Sequence, residues 1–109
     1  MPFAEKGADG QTNGTTAVDA IAAPASAATH VMRNLVVNNR DTVAHIVIVQ
    51  KVSVGGTRRI VKQSLDPDAT LNVEITVNCD ATTSKVQVVL GEAIVTTQPD
   101  WVANYGLVT

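Results

Sequence analysis

From residue 30 to residue 97 the chain is a succession of runs rich in Val and Ile, each joined to the next by a few polar residues. Connections that short suit antiparallel neighbours, because a parallel pair needs a crossover of about a dozen residues or more. Alternation is clearest where Leu71, Val73, Ile75 and Val77 are interleaved with Asn72, Glu74 and Thr76, the period-two pattern of a strand with one buried face. Strands are expected over residues 31–38, 42–54, 57–65, 71–77, 86–90 and 93–97, with no long amphipathic helix. The connections carry turn chemistry. Asn38-Asn39-Arg40-Asp41 is rich in turn formers, Gly55-Gly56 tolerates the positive φ of a tight hairpin, and Asp66-Pro67-Asp68-Ala69 fits a type I turn with Pro67 presetting φ. Residues 78–84 read as a polar loop.

The expected strand 42–54 is apolar on both faces, with Ala44, Ile46, Ile48, Val52 and Val54 on one and Val43, Val47 and Val49 on the other. One face needs cover from outside the core, either from residues 15–28 or from another subunit. The 109 residues include one Phe, one Trp and one Tyr, so the interior is built from small branched side chains. A thin core of that kind suits two sheets packed about 10 Å apart. The fold expected is all-β, an antiparallel β-sandwich or jelly-roll-like domain over residues 15–97, with an extended N-terminal arm and C-terminal tail.

Residues 1–14 are assigned to a flexible arm, because Phe3 is their only large apolar side chain and they bury too little to offset ordering entropy. Residues 15–28, small and interrupted by Pro24, suit a weak edge strand or strap. Residues 98–109 form a tail that holds, after Pro99, the only Trp and the only Tyr. Trp101 and Tyr105 are either anchors for a neighbour's pocket or a cap on their own sandwich.

Net charge is −2, unevenly spread: residues 33–64 hold six cations and one anion, and the remainder two cations and nine anions. Such asymmetry marks a surface that meets an acidic partner, or else ordinary solvated strand faces. Phe3, Arg58, Arg59, Trp101 and Tyr105 are therefore the candidate partner-binding residues.

Catalytic and cofactor chemistry is not expected. Cys79 is the only cysteine, so there is no internal disulfide, and Asp80 beside it raises a thiol pKa rather than lowering it. His30 and His45 lack the paired cysteines or histidine spacing of a zinc site. Ser64 lacks a nucleophile elbow, and the Gly55-Gly56-Thr57-Arg58-Arg59 run leads into a strand rather than the helix N-terminus of a phosphate cradle. The basic segment has no aromatic platform, which disfavours nucleic acid. No apolar run is long enough to span a membrane and no secretory leader is evident, so synthesis in a cytoplasm is expected.

The succession THVMRNLVVNNRDTVAHIVIVQKV, then GGTRRIVKQSLDPDATLNVEITV, then KVQVVLGEAIV, over residues 29–95, resembles small bacteriophage virion proteins of the capsid decoration or head-tail accessory kind. The resemblance implies a module that binds and stabilises an assembled head, with the major capsid protein or other virion proteins as partners. It implies many copies or a homo-oligomer on the particle, and no turnover. A head-tail connector or tail accessory protein, and a carbohydrate- or ligand-binding sandwich, are the alternatives.

Overall fold

The computed structural model describes residues 3–80 and 82–109, and the side chains of all of these except Phe3. Nine strands run in chain order: β1 (Phe3–Gln11), β2 (Val18–Ile21), β3 (Thr29–Asn38), β4 (His45–Ser53), β5 (Gly56–Leu65), β6 (Thr70–Val73), β7 (Val77–Asp80), β8 (Lys85–Leu90) and β9 (Asp100–Val108). Their pairing is nested about one central hairpin. β4 pairs β5, β3 pairs β6 and then β7, β2 pairs β8, and β1 pairs β9, all antiparallel.

Rolling this long hairpin up also sets β9 beside β3 and β8 beside β4. Two sheets result, β1-β9-β3-β6 with β7 also on β3, and β2-β8-β4-β5. β6 and β7 occupy consecutive stretches of one β3 edge, so together they fill a single strand position. The fold is an antiparallel β-sandwich with the strand order of a jelly roll.

Alternation places the core. Met32, Leu35 and Val37 of β3, Val47 and Val49 of β4, and Val86, Val88 and Leu90 of β8 point between the sheets and are buried. Each such side chain contributes about 1.5–3 kcal/mol relative to exposure. Leu71 and Val73 of β6 and Ala103 of β9 complete the inner layers.

The domain limits differ from those expected. Met1, Pro2 and the Phe3 side chain lie outside the described residues, but the rest of the anticipated arm is not separate from the sandwich. Its residues form β1, in register with β9 from Phe3↔Val108 to Gln11↔Asp100. Backbone hydrogen bonds hold an edge strand without large side chains, which is why composition concealed it. Beyond β1, Thr12 donates from Oγ1 to Gln98 Oε1 at 2.9 Å and from its amide to Pro99 O at 2.9 Å.

The anticipated tail is β9, lying between β1 and β3. Trp101 on it is buried at 4% exposure under β1, where a Cβ on Gly10 would stand only 3.0 Å from indole Cζ2. Small residues in β1 therefore make room for the one large aromatic. Residues 15–28 contribute β2 to the second sheet rather than a strap over it.

Three local expectations also change. Residues 93–97 are loop, because their amides turn to a side chain described below. The strand expected over 71–77 breaks after Val73, leaving Ile75 at 47% exposure, and pairing resumes with β7 inside the anticipated polar loop. The Asp66 turn closes with Ala69 N donating to Asp66 O at 3.0 Å, but Asp68 at φ 65° belongs to a type II rather than a type I turn.

In the hairpin only Gly56, at φ 120°, has the positive φ foreseen for both glycines. Gly56→Val is expected to cost about 1–3 kcal/mol because a β-branched residue resists that backbone setting. Gly55→Ala should be near neutral, and urea midpoints of the two variants would show the contrast.

Candidate functional site

Two features stand out: a closed polar cluster at one end of the sandwich, and a division of charge between its outer faces. The cluster begins in the Asn38-Asn39-Arg40-Asp41 turn. Asn39 is fully buried; its Nδ2 donates to Val43 O and Leu65 O, each at 2.9 Å, and its Oδ1 accepts from Asp41 N at 3.0 Å. These bonds set the Asp41 carboxylate beneath the loop that follows β8. Asp41 there accepts from the amides of Val95 and Thr96, each at 2.8 Å, and from its neighbour Thr42 at 2.8 Å.

His45, first residue of β4, lies between two carboxylates. Its Nε2 is 2.6 Å from Asp41 Oδ2 and its Nδ1 is 2.8 Å from Glu92 Oε1. Glu92 Oε1 also accepts from Ile46 N at 2.9 Å. With an acceptor at each ring nitrogen, both nitrogens donate, which makes the ring an imidazolium.

Burial opposes that charge, but the hydrogen bonds to Asp41 and Glu92 and their negative charge outweigh it, so the His45 pKa is raised. Burial likewise pushes the Asp41 carboxyl up. The His45 bond and the amides of Val95, Thr42 and Thr96 prevail and hold it well below the usual carboxylate range.

The two carboxylates grip opposite edges of one ring, so they do not converge on a point where an ion or a reacting atom could sit. The cluster fastens loop 91–97 to the start of β4. In the sequence Asp41 reads as a turn residue and His45 as one of two imidazoles without zinc-site spacing. The only local sign was their four-residue spacing, and Glu92 is 47 residues from His45.

The second feature gathers the candidate arginines. β5 forms an edge of its sheet and is exposed along most of its length. Arg58 lies opposite Lys51 and Arg59 opposite Gln50, and Arg58, Arg59 and Lys62 are exposed. Among the described residues none of these three cations has an ion-pair partner. Charged side chains on an edge discourage pairing with another strand, so this edge is better suited to side-chain contacts than to strand addition.

The aromatic candidates do not join them. Trp101 is a core residue, which removes it as an external anchor. Tyr105 is half-buried, with its ring 4.8 Å from that of His30, whose Nδ1 donates to Ala22 O at 2.8 Å. A shallow cleft lined by Asp9, Gly10, Gln11, Asp100, Trp101 and Val102 lies on the β1–β9 surface. The buried indole offers it no stacking platform. Cys79, on β7, is buried, and burial raises its thiol pKa.

No protein-family model and no curated protein matches the chain. Among solved structures it is similar to a chain in the structure of infectious bursal disease virus Gx strain, with a TM-score of 0.52 at 13% identity. That likeness covers 97% of this chain and 32% of the other, so this chain spans about a third of its neighbour's length. A chain of the Gt strain structure is similar with a TM-score of 0.39 at 13% identity, over 97% of this chain and 30% of that one. At such identity the likeness to the Gx strain chain is one of fold.

Proposed function

We propose that the protein is a virion structural protein that binds an assembled phage head as a decoration or cement subunit and acts without turnover. The observation that carries this reading is the jelly-roll sandwich, similar in fold to a chain in the structure of infectious bursal disease virus Gx strain. The organisation of the molecule agrees with it. The Asp41-His45-Glu92 cluster has both ring nitrogens occupied and serves to hold a loop. The outer sheet faces carry charged side chains, among them Arg59 and Lys62, beside aliphatic ones, among them Ile48 and Val102, a mixture that suits extended contacts with a protein lattice.

A lattice presents many copies of one site, so modest contacts linked through neighbouring subunits add up by avidity. A carbohydrate-binding sandwich is less well supported, since Trp101 is enclosed and Tyr105 is engaged with His30.

The test is co-sedimentation of the purified protein with virus particles from the source of the sequence, at low and high salt. Retention with intact particles, raising their resistance to heat, is the expected result. Protein that stays in the supernatant under both conditions would overturn the proposal.

A further inference from the structure

The outer faces of the two sheets carry opposite charge. Over β1-β9-β3-β6 and β7, register and burial direct Glu5, Asp9, Asp80 and Asp100 outward, with Glu74 just past β6. The cations there, Arg33 and Arg40, are already paired to Glu5 at 3.5 Å and to Asp100 at 3.1 Å. Five carboxylates against two guanidiniums leave this face negative, with Asp9, Glu74 and Asp80 lacking ion pairs among the described residues.

Over β2-β8-β4-β5 the outward charges are Asp19, Lys85, Arg59 and Lys62. Lys85 pairs with Asp19 at 3.6 Å, so Arg59 and Lys62 remain, whereas Arg58 and Lys51, opposite each other near the hairpin, fall on the inward side of the register.

Each face also has an apolar strip. Ile48 lies opposite Val89 on the basic face, flanked on β4 by Ile46 and Val52, all half-buried. This is the outer side of the strand whose sequence is apolar on both faces, and β2 sits beside β8 in the same sheet instead of covering it. On the acidic face Val36 lies opposite Val102, which is 45% exposed.

We infer that the basic outer face of one copy docks on the acidic outer face of a second copy, aliphatic strip on aliphatic strip, with Arg59 and Lys62 facing the carboxylates. Charge complementarity selects this occupant: the chain itself carries both the unpaired cations and the unpaired carboxylates, on opposite sides of one thin body. The contact joins different patches, so it is heterologous and propagates into rings or chains rather than stopping at a two-fold dimer. It goes beyond the virion reading and needs no particle, so its failure and failure of particle attachment are separate results.

Sedimentation velocity of the full chain over a concentration series, in about 50 mM and about 500 mM salt, reads the association. Wild type is expected to form a concentration-dependent series of oligomers at low salt that shrinks at high salt, because exposed charges are screened over a Debye length that falls from about 10 Å at 0.1 M to 3 Å at 1 M. Arg59→Glu with Lys62→Glu makes both faces acidic, and Asp9→Lys with Glu74→Lys makes both basic. Each double variant alone should remain monomeric.

An equimolar mixture of the two should associate again, since acidic and basic faces then meet at every contact. Recovery on mixing cannot arise from misfolded variants. A monomeric wild type at low salt, variants that associate like wild type, a mixture that stays monomeric, or a DNA or RNA oligonucleotide bound by Arg59 and Lys62 without self-association would each overturn the inference.

Discussion

Replacing His45 by Leu is expected to lower the unfolding free energy by roughly 3 kcal/mol near pH 6, the low end of the cost of breaking a buried charged pair. The low end applies because Glu92 is partly exposed, at 44% for its side chain, and because Asp41 keeps its backbone amides. The loss should depend on pH in a defined direction.

The folded His45 pKa lies above its ordinary value of 6.5, so its contribution is complete below about that pH and is lost as pH rises through the raised folded value. Asp41 acts in the opposite sense. Its folded pKa lies below the ordinary 3.8, so its contribution is present above that pH and is lost as acid titrates the folded carboxylate. Both contributions are therefore complete between about pH 4 and pH 6.5.

Urea unfolding of wild type and His45→Leu across pH 5 to 9 checks this. The difference between the two should narrow toward the alkaline end. Parallel curves would mean that the ring is not charged in the folded protein. The same variant should loosen Glu92, visible as faster amide exchange at Ile46, whose hydrogen bonds Glu92 Oε1, while Val95 and Thr96 stay bound to the Asp41 carboxylate and change little.

Trp101→Ala is expected to destabilise the fold by about 3–5 kcal/mol, the range for truncating a large buried aromatic. The indole is enclosed between the sheets beneath Gly10, in a strand flanked on both sides, and little around it can collapse into the space. Trp101→Phe should cost much less. Indole Nε1 is buried without a hydrogen-bond partner among the described residues, so removing it relieves an unsatisfied donor and offsets part of the lost contact.

Tyr105→Ala, at a half-buried position, should fall between surface and core effects. Thermal denaturation of the three variants ranks them. If Trp101→Ala left stability unchanged and weakened only attachment to particles, the side chain would be an anchor after all and its placement in the core would be wrong.

Strand identity was legible wherever alternation was strong. β8, KVQVVL, alternates half-buried and buried positions as its sequence suggests, and the central hairpin closes next to the glycine pair. Period two is a property of adjacent residues, so it can be read without knowing the partner. β1 escaped notice for the converse reason: among its inward positions Ala8 and Gly10 are small where Ala103 and Trp101 of β9 stand opposite them. That complementarity appears only once strands nearly a hundred residues apart are side by side.

Residues 93–97 show the same limit. Their apolar content reads as a strand, yet the amides of Val95 and Thr96 are taken by the Asp41 carboxylate, more than fifty residues earlier in the chain. The two-sided character of β4 was plain from its residues, as was the uneven distribution of charge along the chain. Tertiary structure decided that Arg59 and Lys62 lie on the outer face of one sheet while Glu5, Asp9, Asp80 and Asp100 face outward from the other. Alternation and composition are local and survive in the linear sequence, whereas partner choice, hydrogen-bond destination and the charge of a face arise when distant segments are brought within a few ångströms.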